Sequence, residues 1–211
     1  MAAHYNDEET DAVPIEGLQS SPETIQACKS VVQKYFHYLP PELKVDHHDG
    51  MILYHESDYK GAESFQRTIS KIELSNKEKP KIVLYNGPEL MSLAGGEFDN
   101  LEMAFERCTF AFLYLSEQFV KDCLCKVMSH SCMMETLYNE EKKWCVLPII
   151  TAARKELKFK IPMGLNTLKE IKFYPPFHMF TSCMKSLLNG RHYVREEKEV
   201  KLLNTRFIYL K

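Results

Sequence analysis

Cys123, Cys125, His130 and Cys132 fall in one short stretch, CLCKVMSHSC, and are the residue types that bind soft metal ions. Their spacing decides against a site. On a helix, Cys123 and His130 share a face but stand ~10 Å apart along the axis. Cys125 and Cys132 repeat that pattern on another face, so the four cannot converge to the about 2.3 Å that zinc requires of each sulfur. The thiols read as buried or half-exposed and the pair His47-His48 as a solvated turn; no metal or other cofactor is expected. Nucleophilic chemistry fares no better, because the chain has no GxSxG and nothing ties a cysteine to a base. The glycine-bearing loop LYNGPELMSLAGGEF (84–98) has no lysine or arginine and no GxGxxG spacing, and Glu89, Glu97 and Asp99 would repel a phosphate. A phosphoacceptor site needs an Asp at the tip of the third apolar run, which instead ends Leu115-Ser116-Glu117-Gln118. What the 84–98 loop does hold is Leu90, Met91 and Leu93, apolar side chains where turn chemistry calls for polar ones.

The elements that must carry these residues alternate. Four apolar runs read as strands: MILYH (51–55), KIVLY (81–85), TFAFLYL (109–115) and WCVLPII (144–150), with a fifth at LKEIKFY (168–174). Amphipathic helical patterns separate them, with Ala62, Phe65, Ile69 and Ile72 on one face of the first and Leu101, Ala104, Phe105 and Cys108 on one face of the second. Strands apolar on both faces, each followed by such a helix, predict a doubly wound, flavodoxin-like α/β domain: a parallel sheet of four or five strands covered on both sides, over residues 48–190. A closing helix is expected at about 178–189. Before the domain, residues 1–20 are acidic and predicted disordered. Residues 21–47 hold an amphipathic helix and linker, with Ser21 and Pro22 at its start and Ile25, Cys28, Val32, Tyr35, Phe36 and Leu39 on one face. Residues 191–211 form a charged tail.

Composition bounds the partners. The chain has 211 residues, a net charge of −2 and no basic excess, which argues against nucleic acid. Its longest apolar run is far short of the roughly 20 residues of a membrane helix. The acidic start lacks a signal-peptide core, and Ala2 excludes N-myristoylation. The seven cysteines lie mostly in apolar runs, which fits a reducing compartment and a cytoplasmic protein.

The order of the pieces carries more than any one of them. A strand with a Ser/Asp-containing loop and helix (MILYHESDYKGAESFQRTI), a strand leading into a Gly-Pro loop closed by GGEFDNLEMAFERC, and a strand running into LYLSEQFVKDCLC together resemble the Toll/interleukin-1 receptor (TIR) domain. The likeness is greatest to the TIR adaptors of the TRIF and TRAM type and looser to the MAL adaptor. It implies that Asn86–Phe98 is the family's BB loop, with Pro88 as its proline, and that Gly87, Pro88, Glu89, Leu90, Met91 and Leu93 form a TIR–TIR interface. Ser116, Phe119, Asp122 and Cys125 match the family's Ser-Phe-Trp-Cys signature, with Leu124 where the family has tryptophan. They mark a second interface on the third helix at Asp122, Cys123 and Cys125. FYPPFHMF (173–180) matches the third family box, with His178 in place of its tryptophan.

The function implied is a cytosolic adaptor that passes Toll-like receptor, innate immune signals. It would associate with itself and with the TIR domains of receptors and other adaptors, which would recruit it to membranes. The alternative within the family is an NAD-cleaving hydrolase, whose glutamate follows the tryptophan–cysteine signature directly. Here Lys126, Val127, Met128 and Ser129 follow Cys125, and the first carboxylate is Glu135. A non-catalytic protein is therefore expected.

Overall fold

The computed structural model describes residues 22–90 and 96–210; the acidic segment 1–20, like Met91 and Leu93, lies outside the described residues. In chain order the elements are α1 (Pro22–Tyr35), α2 (Pro41–Lys44), β1 (His48–Leu53), α3 (Tyr59–Ile69), β2 (Ile82–Leu84) and α4 (Glu97–Glu106). Then come β3 (Cys108–Tyr114), α5 (Glu117–Lys121), α6 (Cys123–Tyr138), β4 (Val146–Ile150), α7 (Met163–Asn166), β5 (Ile171–Lys172), α8 (Phe177–Asn189) and α9 (His192–Tyr209). The five strands form one parallel sheet in the order β2-β1-β3-β4-β5, the flavodoxin-like doubly wound order.

Burial explains this order. Every residue of β3 is buried, and it lies at the centre, with Ile52 beside Phe112 and Phe112 beside Leu147. Phe112 meets Phe65 of α3 edge-on, with ring centroids 5.7 Å apart, and Phe173 and Phe180 complete that aromatic cluster. Each aromatic buries roughly 150–250 Å² of surface, so this cluster fastens α3 and α8 to the sheet.

Several boundaries differ from the sequence reading. The first strand starts at His48 rather than Met51, because His48 and Gly50 pair with Cys108 and Phe110 of β3. His47 and His48 are therefore buried, not a solvated turn. Cys108 opens β3 instead of ending the preceding helix. Trp144 adopts a positive φ of 64° and stays exposed, so β4 begins at Val146. The N-terminal helix stops at Tyr35, leaving Tyr35 and Phe36 exposed, while Cys28, Val32 and Leu39 pack on Leu203 of α9.

Helix α9 is tied to α1 by that small apolar cluster and to β1 by charge. Buried Arg195 donates to the Asp49 carboxylate of β1 at 2.6 Å and also pairs with Glu78. The Arg206 guanidinium donates to Leu43 O at 2.5 Å and to Asp46 at 3.0 Å.

Candidate functional site

The loop after β2 leaves the sheet through two tight turns. Gly87 N–H donates to Leu84 O at 2.8 Å, and Leu90 N–H donates to Gly87 O at 3.1 Å. A Cβ on Gly87 would stand 2.9 Å from the Leu84 carbonyl oxygen, so the first turn closes tightly only with glycine there. The turns put Pro88 and Glu89 at the surface and return Leu90 to the interior. Leu90 is 2% exposed and belongs to the main core, which corrects its expected place in an exposed patch. An apolar residue in this loop is thus an anchor that fixes the exposed Pro88-Glu89 corner. Gly87 is half-buried.

The signature around α5 and α6 is mainly structural. Ser116 caps α5 by accepting from Phe119 N–H at 3.0 Å, and its own hydroxyl donates to Asp58. Phe119 is buried in the core. Asp122 caps α6, accepting from Cys125 N–H at 2.7 Å, and that bond holds its carboxyl below the usual range. Cys125 faces inward with Met128, Ser129 and Cys132, which corrects its assignment to a surface interface; Cys123 is exposed and Asp122 half-buried. Burial pushes the Cys125 and Cys132 thiols up to about 12, far from the thiolate that metal binding or nucleophilic attack needs. Cys123 and His130 are exposed while Cys125 and Cys132 are buried, so the two pairs of CLCKVMSHSC diverge. Among the described residues, no group of three or more His, Cys, Asp or Glu side chains could hold a metal ion.

What the sequence reading missed on α6 is the other exposed face: Leu124, Val127, Met134, Leu137 and Tyr138 all reach solvent. Their helical spacing is visible in the sequence, but so is that of the inward face, and the chain is apolar on both.

Beside the carboxyl ends of β1 and β2 lies a cleft of about 240 Å³, lined by Tyr54, His55, Glu56, Tyr85, Asn86 and Asp122 among others. His55 Nδ1 accepts from the Ser57 N–H at 3.2 Å and contacts its hydroxyl at 2.8 Å, a local cap on the turn that opens α3. Glu135 is elsewhere. It sits in the last turn of α6, in a separate cleft of about 310 Å³ against Glu102 and Glu106 of α4. By helical rise it is ~15 Å along the axis from Cys125.

Charge is uneven along the chain but not divided by sheet edge: α4, with four of the five acidic residues of 82–106, packs on central β3 and on α6, and Lys77, Lys79 and Lys81 lead into edge strand β2. Residues 82–106, from edge strand β2 through α4, contain five acidic residues and no basic one. Residues 153–190, which contain the opposite edge strand β5 and helix α8, contain seven basic residues and two acidic ones. Lys155, Lys158, Lys160 and Lys172 are all exposed there.

Among the described residues no helix is long and apolar enough to cross a membrane. No family model and no curated protein matches the sequence. Among solved structures, the chain is similar to the TIR domain of the Toll-related receptor TRR-2 from Hydra magnipapillata. The two are 16% identical, with a TM-score of 0.42, and the match covers 71% of this chain and 97% of that one.

Proposed function

We propose that the chain is a TIR-type association module. It acts as a non-catalytic cytoplasmic adaptor that passes Toll-like receptor signals by docking onto the TIR domains of receptors, of other adaptors and of its own copies. The observation that carries this reading is the exposed Pro88-Glu89 corner at the carboxyl end of edge strand β2, held from below by buried Leu90. A corner fixed in this way is pre-organised for contact with a partner.

The adaptor reading also rests on what the α6 region would have to do as an enzyme. A glutamate ~15 Å away along the helix cannot replace one next to Cys125, since a displacement of even about 1 Å from productive geometry can cost 100-fold in rate. The test is co-precipitation of the full chain with a panel of receptor and adaptor TIR domains, run beside incubation with NAD. The reading expects capture of at least one TIR domain and NAD consumption at the buffer rate. Failure to capture any, or NAD turnover that Glu135→Ala abolishes, refutes it.

A further inference from the structure

At the amino end of the sheet, away from the Pro88 corner, a cleft of about 420 Å³ opens between α9, the C-terminal end of α4 and the turn Glu140–Lys142. Its volume is within the range of small-molecule sites. Four cationic side chains line it: Arg107, Lys142, Lys198 and Lys201. Two carboxylates, Glu106 and Glu141, line it with them, and Glu197 pairs with Lys201 at its rim. We infer that this cleft binds a compact, multiply phosphorylated anion, of the inositol polyphosphate class.

The cations differ in how they are held, and this shapes the site. Lys142 is buried, and its ammonium donates to Cys108 O at 2.6 Å, to Glu106 O at 3.3 Å and to Phe105 O, capping the carbonyl end of α4. Its donors are taken up by these carbonyls and burial lowers its basicity, so it adds charge to the wall from behind and leaves the ligand contacts to the other three cations. Arg107 sits beside it, half-buried, donating to Val45 O at 3.4 Å; burial first and like-charged Arg206 next lower its basicity. Lys198 and Lys201 lie one turn apart on α9, so both can reach one ligand. Both are paired, with Glu141 at 2.6 Å and with Glu197 at 2.7 Å, but these pairs are solvent-exposed. Exposed pairs are worth about 1 kcal/mol or less, so a phosphate can displace either carboxylate at small cost. Positive charge is concentrated enough to act on the histidine in the wall: His47 is held neutral first by burial and then by Lys142, with Lys198 and Arg107 adding to the effect. Leu43 and Leu202 give the cleft an apolar side, which matches the carbon face of a cyclitol ring better than bare phosphate.

The test uses the full chain and inositol hexakisphosphate, followed by calorimetry and thermal melting, with sulfate at equal ionic strength as the reference. The proposal expects one-to-one binding and a raised melting temperature with the hexakisphosphate. The double variant Lys198→Glu/Lys201→Glu should melt as the parent does without ligand and bind at least about tenfold more weakly. The control reverses two exposed charges that do not line the cleft, Lys158→Glu/Lys160→Glu, and should leave binding intact. Vesicle sedimentation separates the sources. Retention on vesicles containing phosphatidylinositol bisphosphate, absent on phosphatidylserine vesicles of equal charge, assigns a lipid headgroup; binding of the free polyphosphate alone assigns a soluble ligand. Absence of binding to either, or equal weakening by both double variants, overturns the proposal. None of these readouts depends on TIR association.

Discussion

Replacing Arg195 by methionine tests how α9 is held. The side chain is 2% exposed and donates at 2.6 Å to Asp49, whose side chain is 4% exposed. Its other carboxylate neighbours, Glu78 and Glu199, are 54% and 37% exposed, and such pairs are worth about 1 kcal/mol or less. Removing the guanidinium leaves the Asp49 carboxylate in the interior with a single backbone partner, Lys81 N–H at 2.8 Å. Breaking one side of a buried pair in this way costs about 3–5 kcal/mol. For a chain of this size that is a fall in melting temperature of roughly 10 °C. Burial already pushes the Asp49 carboxyl above its ordinary range, against the pull of Lys81 N–H and Arg195. Without Arg195 it rises further, so the folded variant takes up a proton before the unfolded chain does. The deficit should therefore shrink as pH falls through that raised pKa. The assay is urea unfolding of the parent, Arg195→Met, Asp49→Asn and the double variant at two pH values. The double variant should recover about 1–3 kcal/mol relative to Arg195→Met. A loss below about 1 kcal/mol in the single variant, or no recovery in the double, refutes the reasoning.

Leu90→Ala should cost about 2–5 kcal/mol in chemical denaturation, because it empties a core site; a loop residue facing solvent would cost almost nothing. Gly50→Ala should destabilise by about 1–3 kcal/mol in the same assay, since its Cβ would stand 2.6 Å from the Phe112 ring and 3.3 Å from Phe110 O. His47 is held at about 3 by burial first, with Lys142 next among the causes, and its Nε2 lies 3.1 Å from Thr109 Oγ1. The unfolded chain protonates it near pH 6.5, so stability falls as pH drops below that value, by about 1.4 kcal/mol at roughly pH 5.5. His47→Gln should flatten the loss between neutral pH and roughly pH 5.5, measured as urea midpoints, by about that amount.

The sheet was legible where a strand is apolar on both faces. TFAFLYL can only be central, and it is. The start of β1 was hidden because His48 and Asp49 are polar, and Asp49 is buried through Arg195, 146 positions away. No local pattern reports a partner at that distance. Leu90 was misread for a related reason: a leucine among glycines and a proline reads as exposed until the turns at Gly87 and Leu90 show the chain doubling back. The charges of residues 82–106 and 153–190 are plain in the sequence. Where they lie in space depends on packing that no local pattern reports: α4, with four of the five acidic residues, lies against central β3 and α6.

The claim that the Pro88 corner is the association surface is tested most directly by sedimentation of the purified chain over a range of concentrations, with Pro88→His alongside the parent. Pro88 is exposed, and replacing it should change stability by about 1 kcal/mol or less. Phe112→Ala, which removes a buried ring at the sheet centre, is the reference for lost fold and should cost about 3–5 kcal/mol. The account predicts that the parent associates increasingly with concentration. Pro88→His should keep the parent's melting temperature yet remain monomeric. If Pro88→His associates as the parent does, the loop after β2 is not the interface.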